Sequence, residues 1–406
     1  MRGKIYQTIL FIALGSLCAC TGKSDKQNKT PLVTRSCAET FELDPKDIPE
    51  IKEKIHAEKK AWQLDTIFAK KVKREGFNGN VLVAQHGVVV YRKKFGYASF
   101  DRKMKDTLKY DSKFQLASMS KTFTAMAVLK LYEAGKIKLD DSVQKFIPDF
   151  PYHGINIQML LCHRSGLPYY AYAFDDSVRK VRTPPDNNQI LKWFAQSKPK
   201  PYNRPNRSFA YNNSNYMVLA SIVERVSGLS FDQFLKKNIF DPLGMKNTYL
   251  STTKNDSINL NRTMGYEGRR KIQTDYYDFV IGDKGIYSTV DDLLRWYKAL
   301  NSDCFLSKKT MKEAWEPRSF ERKGLKNYGY GFRMMLRDVD SKKARYVYHN
   351  GWWKGYSTLF WFNPHDDYVV IILGNRKNGT VYRVKSVLQV MEEDANAGEM
   401  EDELTD

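Results

Sequence analysis

Cysteine is scarce in this chain of 406 residues: the five are Cys18, Cys20, Cys37, Cys162 and Cys304, and no two stand in C-x-x-C spacing. A zinc site or a disulfide framework is therefore not expected, although a bond from Cys37 to Cys162 or to Cys304 stays open. Zinc-finger spacing, an aromatic RNA-binding motif and a Gly-rich phosphate loop with its lysine are all missing. The net charge of +20 is spread along the chain rather than gathered in one arm. It suits acidic partners, but without a reading motif no nucleic-acid partner is expected. No internal repeat is evident, and the length fits one large α/β domain or a domain with a big insertion. The 42% hydrophobic content is enough for a real core.

Long apolar runs are also lacking. The run Ile9 to Leu17, preceded by Arg2 and Lys4, is too short to span a bilayer, and Leu17-Cys18-Ala19-Cys20 follows it. This resembles a bacterial lipoprotein signal, which implies removal of residues 1–19 and a lipid on Cys20. The expectation is an exported lipoprotein anchored to a membrane of the cell envelope, facing the periplasm or the surface. Residues 20–48 are polar and aperiodic and read as a tether. A domain over 49–391 and an acidic, disordered tail over 392–406 complete the chain.

Apolar spacing from Ile51 to Val72 predicts one or two amphipathic helices. Gly79 to Ala84 and Val88 to Tyr91, separated by Gln85-His86-Gly87, predict a hairpin. Strand patterns return at Tyr346 to Tyr348, Ser357 to Phe362 and Tyr368 to Leu373. Between them the chain is mainly helical. Sheet at both ends with helices between predicts an α/β fold: an antiparallel sheet built from both chain ends, flanked by helices, with an inserted helical subdomain.

Three motifs carry chemistry. S-x-x-K occurs five times, beginning at Ser118, Ser142, Ser177, Ser197 and Ser251, so the pattern alone is weak. Only the match at Ser118 follows an apolar strand-like segment and opens a buried helix, expected to run to about Leu131 and to stop at Gly135. There Lys121 lies on the same helical face as Ser118, within reach of its proton, and the helix N-terminus favours developing negative charge. Tyr211-Asn212-Asn213 is the second motif; a nearby ammonium would make the phenol of Tyr211 a usable base. The third is His349-Asn350-Gly351-Trp352 at the start of a strand. Its glycine would admit close backbone approach, and the amide after it would donate to an oxyanion.

In this order the three motifs resemble the serine β-lactamase and penicillin-binding protein superfamily, in its class C-like branch. Framework segments such as Leu160 to Pro168, Ile239 to Met245 and Gly285 to Thr289 extend the resemblance over about residues 60 to 390. It implies that Ser118 attacks a carbonyl, that Lys121 and Tyr211 move its proton, that Asn213 and the His349-Gly351-Trp352 strand bind substrate, and that His163 is structural. No metal or organic cofactor is implied. β-Lactamases of the superfamily carry Lys-Thr/Ser-Gly where this chain has His349-Asn350-Gly351, which weakens the clamp for a substrate carboxylate. The expectation is a serine hydrolase that forms an acyl-enzyme from an ester or amide, of esterase or D-amino-acid-peptidase type, with a small molecule or cell-wall peptide as substrate. The alternatives are a β-lactamase and a non-catalytic sensor that binds muropeptide or β-lactam. Oligomeric state is left open.

Overall fold

The structure, a computed structural model, describes residues 37–100, 106–173, 184–252, 261–273 and 277–393. The signal segment, Cys20 and all but the first two residues of the acidic tail lie outside them.

The amphipathic stretch forms two helices, α1 (Asp47–Lys54) and α2 (Ala57–Glu75), parted where His56 turns left-handed at φ 49°. The hairpin β1 (Gly79–Gln85) and β2 (Val88–Phe95) turns at His86 and Gly87, both with positive φ, as a two-residue turn that follows strand twist requires. A two-residue strand, β3 (Phe114–Gln115), leads to α3 (Ser120–Glu133). The inserted region contributes α4 (Ile157–Leu161), α5 (Asn187–Ser197) and α6 (Asn213–Ser227). The chain continues through β4 (Tyr249–Leu250), β5 (Ile286–Ser288), α7 (Val290–Leu300) and α8 (Lys308–Ala314). It closes with β6 (Lys326–Tyr328), β7 (Arg333–Leu336), β8 (Ala344–Trp353), β9 (Tyr356–Asn363), β10 (Tyr368–Gly374) and α9 (Lys385–Glu392).

Seven strands form one antiparallel sheet in the order β2-β1-β10-β9-β8-β7-β6. The join between the chain's two ends is the β1–β10 pair, in register from Gly79 opposite Gly374 to Gln85 opposite Tyr368. Strands β1, β9 and β10 are buried at every position, which explains their near-continuous apolar runs. One face packs Val81, Val83, Val370 and Ile372 against Leu64 and Phe68 of α2 and Val387 and Leu388 of α9. The other packs Leu82, Phe360, Ile371 and Leu373 into the larger core shared with α3, α6 and α7.

The tether ends earlier than residue 48. Cys37–Phe41 forms a 3-10 turn with Phe41 buried, and the Phe41 carbonyl accepts from Lys298 Nζ at 2.7 Å. Cys37 is disulfide-bonded to Cys304, with Cα atoms 5.4 Å apart, and Cys162 is a buried free thiol. One aromatic side chain and one covalent link thus hold a stretch whose polar composition suggests no fold.

Candidate active site

Helix α3 is buried almost all round, from Ser120 through Leu129, so its N-terminus is held deep in the domain. Ser118 lies just ahead of it, in the 3-10 turn Ala117–Met119, rather than in its first α turn. Ala117 enters that turn with φ 51°, a left-handed conformation that is uncommon for a residue with a β-carbon. Neighbours hold it there: Leu116 N–H donates to Ile286 O at 2.8 Å, and Thr358 Oγ1 donates to Leu116 O at 2.9 Å.

The i, i+3 spacing places Lys121 Nζ 3.0 Å from Ser118 Oγ. Lys121 is wholly buried, and its second bond, of 2.9 Å, goes to the backbone carbonyl of Asp283. That carbonyl stands in a turn between Gly282 (φ 101°) and Gly285 (φ 95°). The Asp283 carboxylate accepts from Tyr170 Oη at 3.0 Å and pairs with Lys284 Nζ at 3.3 Å. Burial pushes the Lys284 ammonium below its ordinary pKa, against the pull of Asp283.

Tyr211 comes from the segment that α6 follows. Asn212 caps α6, its side-chain oxygen accepting from Ser214 N–H at 2.8 Å. The Tyr211 ring centroid is 5.0 Å from Lys121 Nζ, and Tyr211 Oη is buried without a partner. Asn213 donates through Nδ2 to Tyr169 Oη at 2.8 Å and leaves Oδ1 buried and unpartnered. Two buried oxygens without partners are expensive, and a polar group bound at each would satisfy it.

The third motif is placed differently from expectation. His349 is 0% exposed, as Lys121 is, and its ring centroid lies 6.3 Å from that of Tyr211. Its Nδ1 donates to Asn350 O at 2.7 Å, and its Nε2 accepts from Tyr328 Oη at 3.2 Å. Burial, with the charges of Arg333 and Lys121, holds the imidazole neutral, well below its ordinary pKa. Gly351 is needed for a contact within the protein: a β-carbon there would meet Leu116 O at 2.1 Å and Ala117 Cβ at 3.1 Å. Strand β8 therefore lies directly against the turn that carries Ser118. Trp352 is exposed, while Trp353 donates its indole N–H to the Asp278 carboxylate.

Arg333 is the residue that sequence reasoning missed. Strand pairing sets it opposite Tyr348, and its guanidinium carbon lies 4.7 Å from the Tyr211 ring centroid. Among the described residues it has no ion-pair partner, and its Nε is buried and unbonded. The only local hint is Gly329-Tyr330-Gly331-Phe332-Arg333, whose Gly331 packs against Ala125 and the Lys121 carbonyl on α3. The site thus joins a serine, a lysine, a phenol and, among the described residues, an unpaired guanidinium, with the Asn213 amide two residues beyond the phenol. It can move a proton from a hydroxyl and hold an anionic group nearby.

Residues 64–392 match the family model described as Beta-lactamase. Penicillin-binding protein 4* of Bacillus subtilis (strain 168) is 33% identical over 350 residues, 82% of this chain and 75% of that protein. Protein flp of Staphylococcus aureus (strain MW2) is 26% identical over 77% of this chain, a match that spans 62% of flp. The solved penicillin-binding protein from Bacillus halodurans superposes with a TM-score of 0.68 at 23% identity, over 80% of this chain and 98% of its own. The octameric penicillin-binding protein homologue from Pyrococcus abyssi superposes equally, at 0.68 and 26% identity, over 80% of this chain and 77% of its own. By the extent of the family match and the identity to its Bacillus subtilis relative, the chain belongs to the β-lactamase family, within the superfamily of serine β-lactamases and penicillin-binding proteins.

Proposed function

We propose that the protein is a serine hydrolase that forms an acyl-enzyme from an ester or amide, of the esterase or D-amino-acid-peptidase type. The observation that carries this reading is the 3.0 Å contact between Lys121 Nζ and Ser118 Oγ in a pocket where Tyr211 Oη has no partner. Ser118 Oγ bonds to the substrate carbonyl carbon, and its proton passes to the Lys121–Tyr211 pair. The same pair returns the proton to the leaving alcohol or amine as the carbonyl–heteroatom bond breaks. Water then repeats the sequence on the acyl-enzyme. The backbone N–H groups of Ser118 and Trp352 receive the oxyanion, an arrangement worth on the order of a hundredfold or more in rate. Asn213 bonds the substrate through its bare Oδ1.

The unpaired guanidinium of Arg333 supports a substrate with a carboxylate near the scissile bond, as a cell-wall peptide ending in a D-amino acid has. Buried, neutral His349 cannot replace the strand lysine of β-lactamases, which disfavours β-lactam turnover. The Leu17–Cys20 box supports an envelope location, where such peptides occur.

The test sets wild type and Ser118→Ala against p-nitrophenyl esters paired with and without a carboxylate, a D-alanyl-D-alanine peptide and a chromogenic cephalosporin. Turnover of an ester or the peptide, faster for the carboxylate-bearing member and lost in Ser118→Ala, is expected. Turnover that survives in Ser118→Ala overturns the nucleophile. A cephalosporin turned over fastest makes the protein a β-lactamase instead, and covalent labelling by a fluorophosphonate without any turnover makes it a sensor.

A further inference from the structure

His163 belongs to the framework stretch after α4, and nothing in the scheme above uses it. It follows the helix with φ 56°, and its carbonyl and its imidazole both meet the same neighbouring segment. Ala210 N–H donates to His163 O at 2.9 Å, and Asn212 N–H donates to His163 Nδ1 at 3.1 Å. Those two residues flank Tyr211. A single residue therefore holds the backbone immediately before and immediately after the phenol, and its ring lies 4.4 Å from the Tyr211 ring, centroid to centroid.

The chemistry of the imidazole agrees with this geometry. A nitrogen that accepts from an amide N–H carries no proton, so the ring is the neutral Nε2–H tautomer; Asn215 Nδ2 also approaches Nδ1, at 2.9 Å. Burial, together with the nearby charges of Lys121 and Arg333 and with His349, keeps it neutral. Tyr216 and Tyr328 enclose the rest of the ring, with centroids 5.0 and 4.8 Å away, and Nε2 has no partner. Nδ1 thus meets the backbone next to Tyr211 and the Asn215 amide together.

We propose that His163 is a positioning residue for Tyr211, fixing the chain on both sides of the tyrosine so that its phenol oxygen meets the Lys121–Ser118 pair. The proposal rests on the role given to Tyr211 above. A displacement of about 1 Å in a reacting group costs on the order of a hundredfold. The loss cannot exceed what Tyr211 itself supplies, roughly 10²–10⁴-fold for a general base.

The experiment measures the second-order rate of Ser118 labelling by a fluorophosphonate, with thermal unfolding recorded alongside. The proteins are wild type, His163→Asn, His163→Gln, Tyr211→Phe and the His163→Gln/Tyr211→Phe double variant. Asparagine carries an oxygen at the same bond count as Nδ1, whereas glutamine places its oxygen one bond farther out. His163→Asn is expected within about threefold of wild type and His163→Gln slower by roughly 10–100-fold. In the Tyr211→Phe background, adding His163→Gln should change the rate less than about threefold, because a positioning residue has nothing left to position.

Wild-type rates in His163→Gln, equal losses in His163→Asn and His163→Gln, or a His163→Gln loss that persists in full without the phenol would each overturn the proposal. Should His163→Gln not fold, a slow but folded His163→Asn overturns it and a fast one supports it. Absence of labelling in wild type is a separate result: it overturns the functional reading itself.

Discussion

Gly351→Ala tests whether the third motif shapes the site by contact within the protein. An added β-carbon would stand 2.1 Å from Leu116 O, 2.3 Å from Thr358 Oγ1 and 3.1 Å from Ala117 Cβ. None of the three is the loose end of a long side chain. Leu116 is fixed by its bond to Ile286, Ala117 is the left-handed residue before Ser118, and Thr358 lies directly across from Gly351 in the β8–β9 pair. Non-bonded carbon contacts settle at about 3.5–4.0 Å, so strand or turn must retreat by roughly 1 Å or more. Overpacking of this kind costs about 1–3 kcal/mol, only about 1–4 °C in Tm for a folded unit of this length. The same shift at Ser118, the proposed nucleophile, costs on the order of a hundredfold in rate. The expected signature is therefore disproportion: fluorophosphonate labelling roughly a hundredfold slower in a protein whose melting curve has barely moved. Gly379→Ala is the control, because a β-carbon there meets nothing within 4 Å. A Gly351→Ala protein that labels within about threefold of wild type would refute the reasoning.

Two more outcomes follow from buried groups and the covalent link. The Cys37–Cys304 bond closes a loop of 267 residues, for which chain entropy allows up to about 5–6 kcal/mol. Cys37→Ser should then lower Tm by about 3–7 °C in thermal melts without altering the labelling rate, and an unchanged Tm would show that Phe41 alone holds this segment. His163 and His349 are both fully buried and held neutral below their ordinary value of 6.5, so the unfolded chain takes up protons that the folded chain does not. Their contribution is present above pH 6.5 and is lost as pH falls, by up to about 1.4 kcal/mol per pH unit for each histidine. Melts between pH 7 and pH 5 should show a shallower loss of stability in His349→Asn than in wild type; equal slopes would mean that the imidazole is protonated in the folded state.

Much of the fold was legible because its cues are local. His86-Gly87 marks the first hairpin, the runs at 79–84, 357–362 and 368–373 mark strands buried on both faces, and Gly135, at φ 67°, follows the end of α3. The i, i+3 spacing likewise offered the Ser118–Lys121 pair, and the buried helix that follows singled it out from the four other S-x-x-K matches. Cys37 and Cys304 were not legible as a pair, because composition says nothing about which distant residues meet. The start of the domain was misjudged for a related reason: one buried phenylalanine in a polar stretch leaves no periodicity to detect.

The third motif shows how local reading can identify a residue and misjudge its work. Sequence presents His349 as a lost positive charge, because the resembled β-lactamases carry lysine there. In the folded chain a guanidinium on the neighbouring strand, that of Arg333, lies 4.7 Å from the Tyr211 ring centroid. The β7–β8 register sets Arg333 opposite Tyr348, beside a histidine turned inward and kept neutral. That substitution is coherent, since a lysine in place of His349 would bring a second buried cation beside Arg333 and Lys121, at a cost of several kcal/mol unless an anion paired with it. Neutral His349 and cationic Arg333 are therefore best read as one arrangement. The histidine bonds Tyr328 and the guanidinium lies against the Tyr211 ring, so the proposed recognition of an anion and the proposed activation of Ser118 would meet at the same phenol.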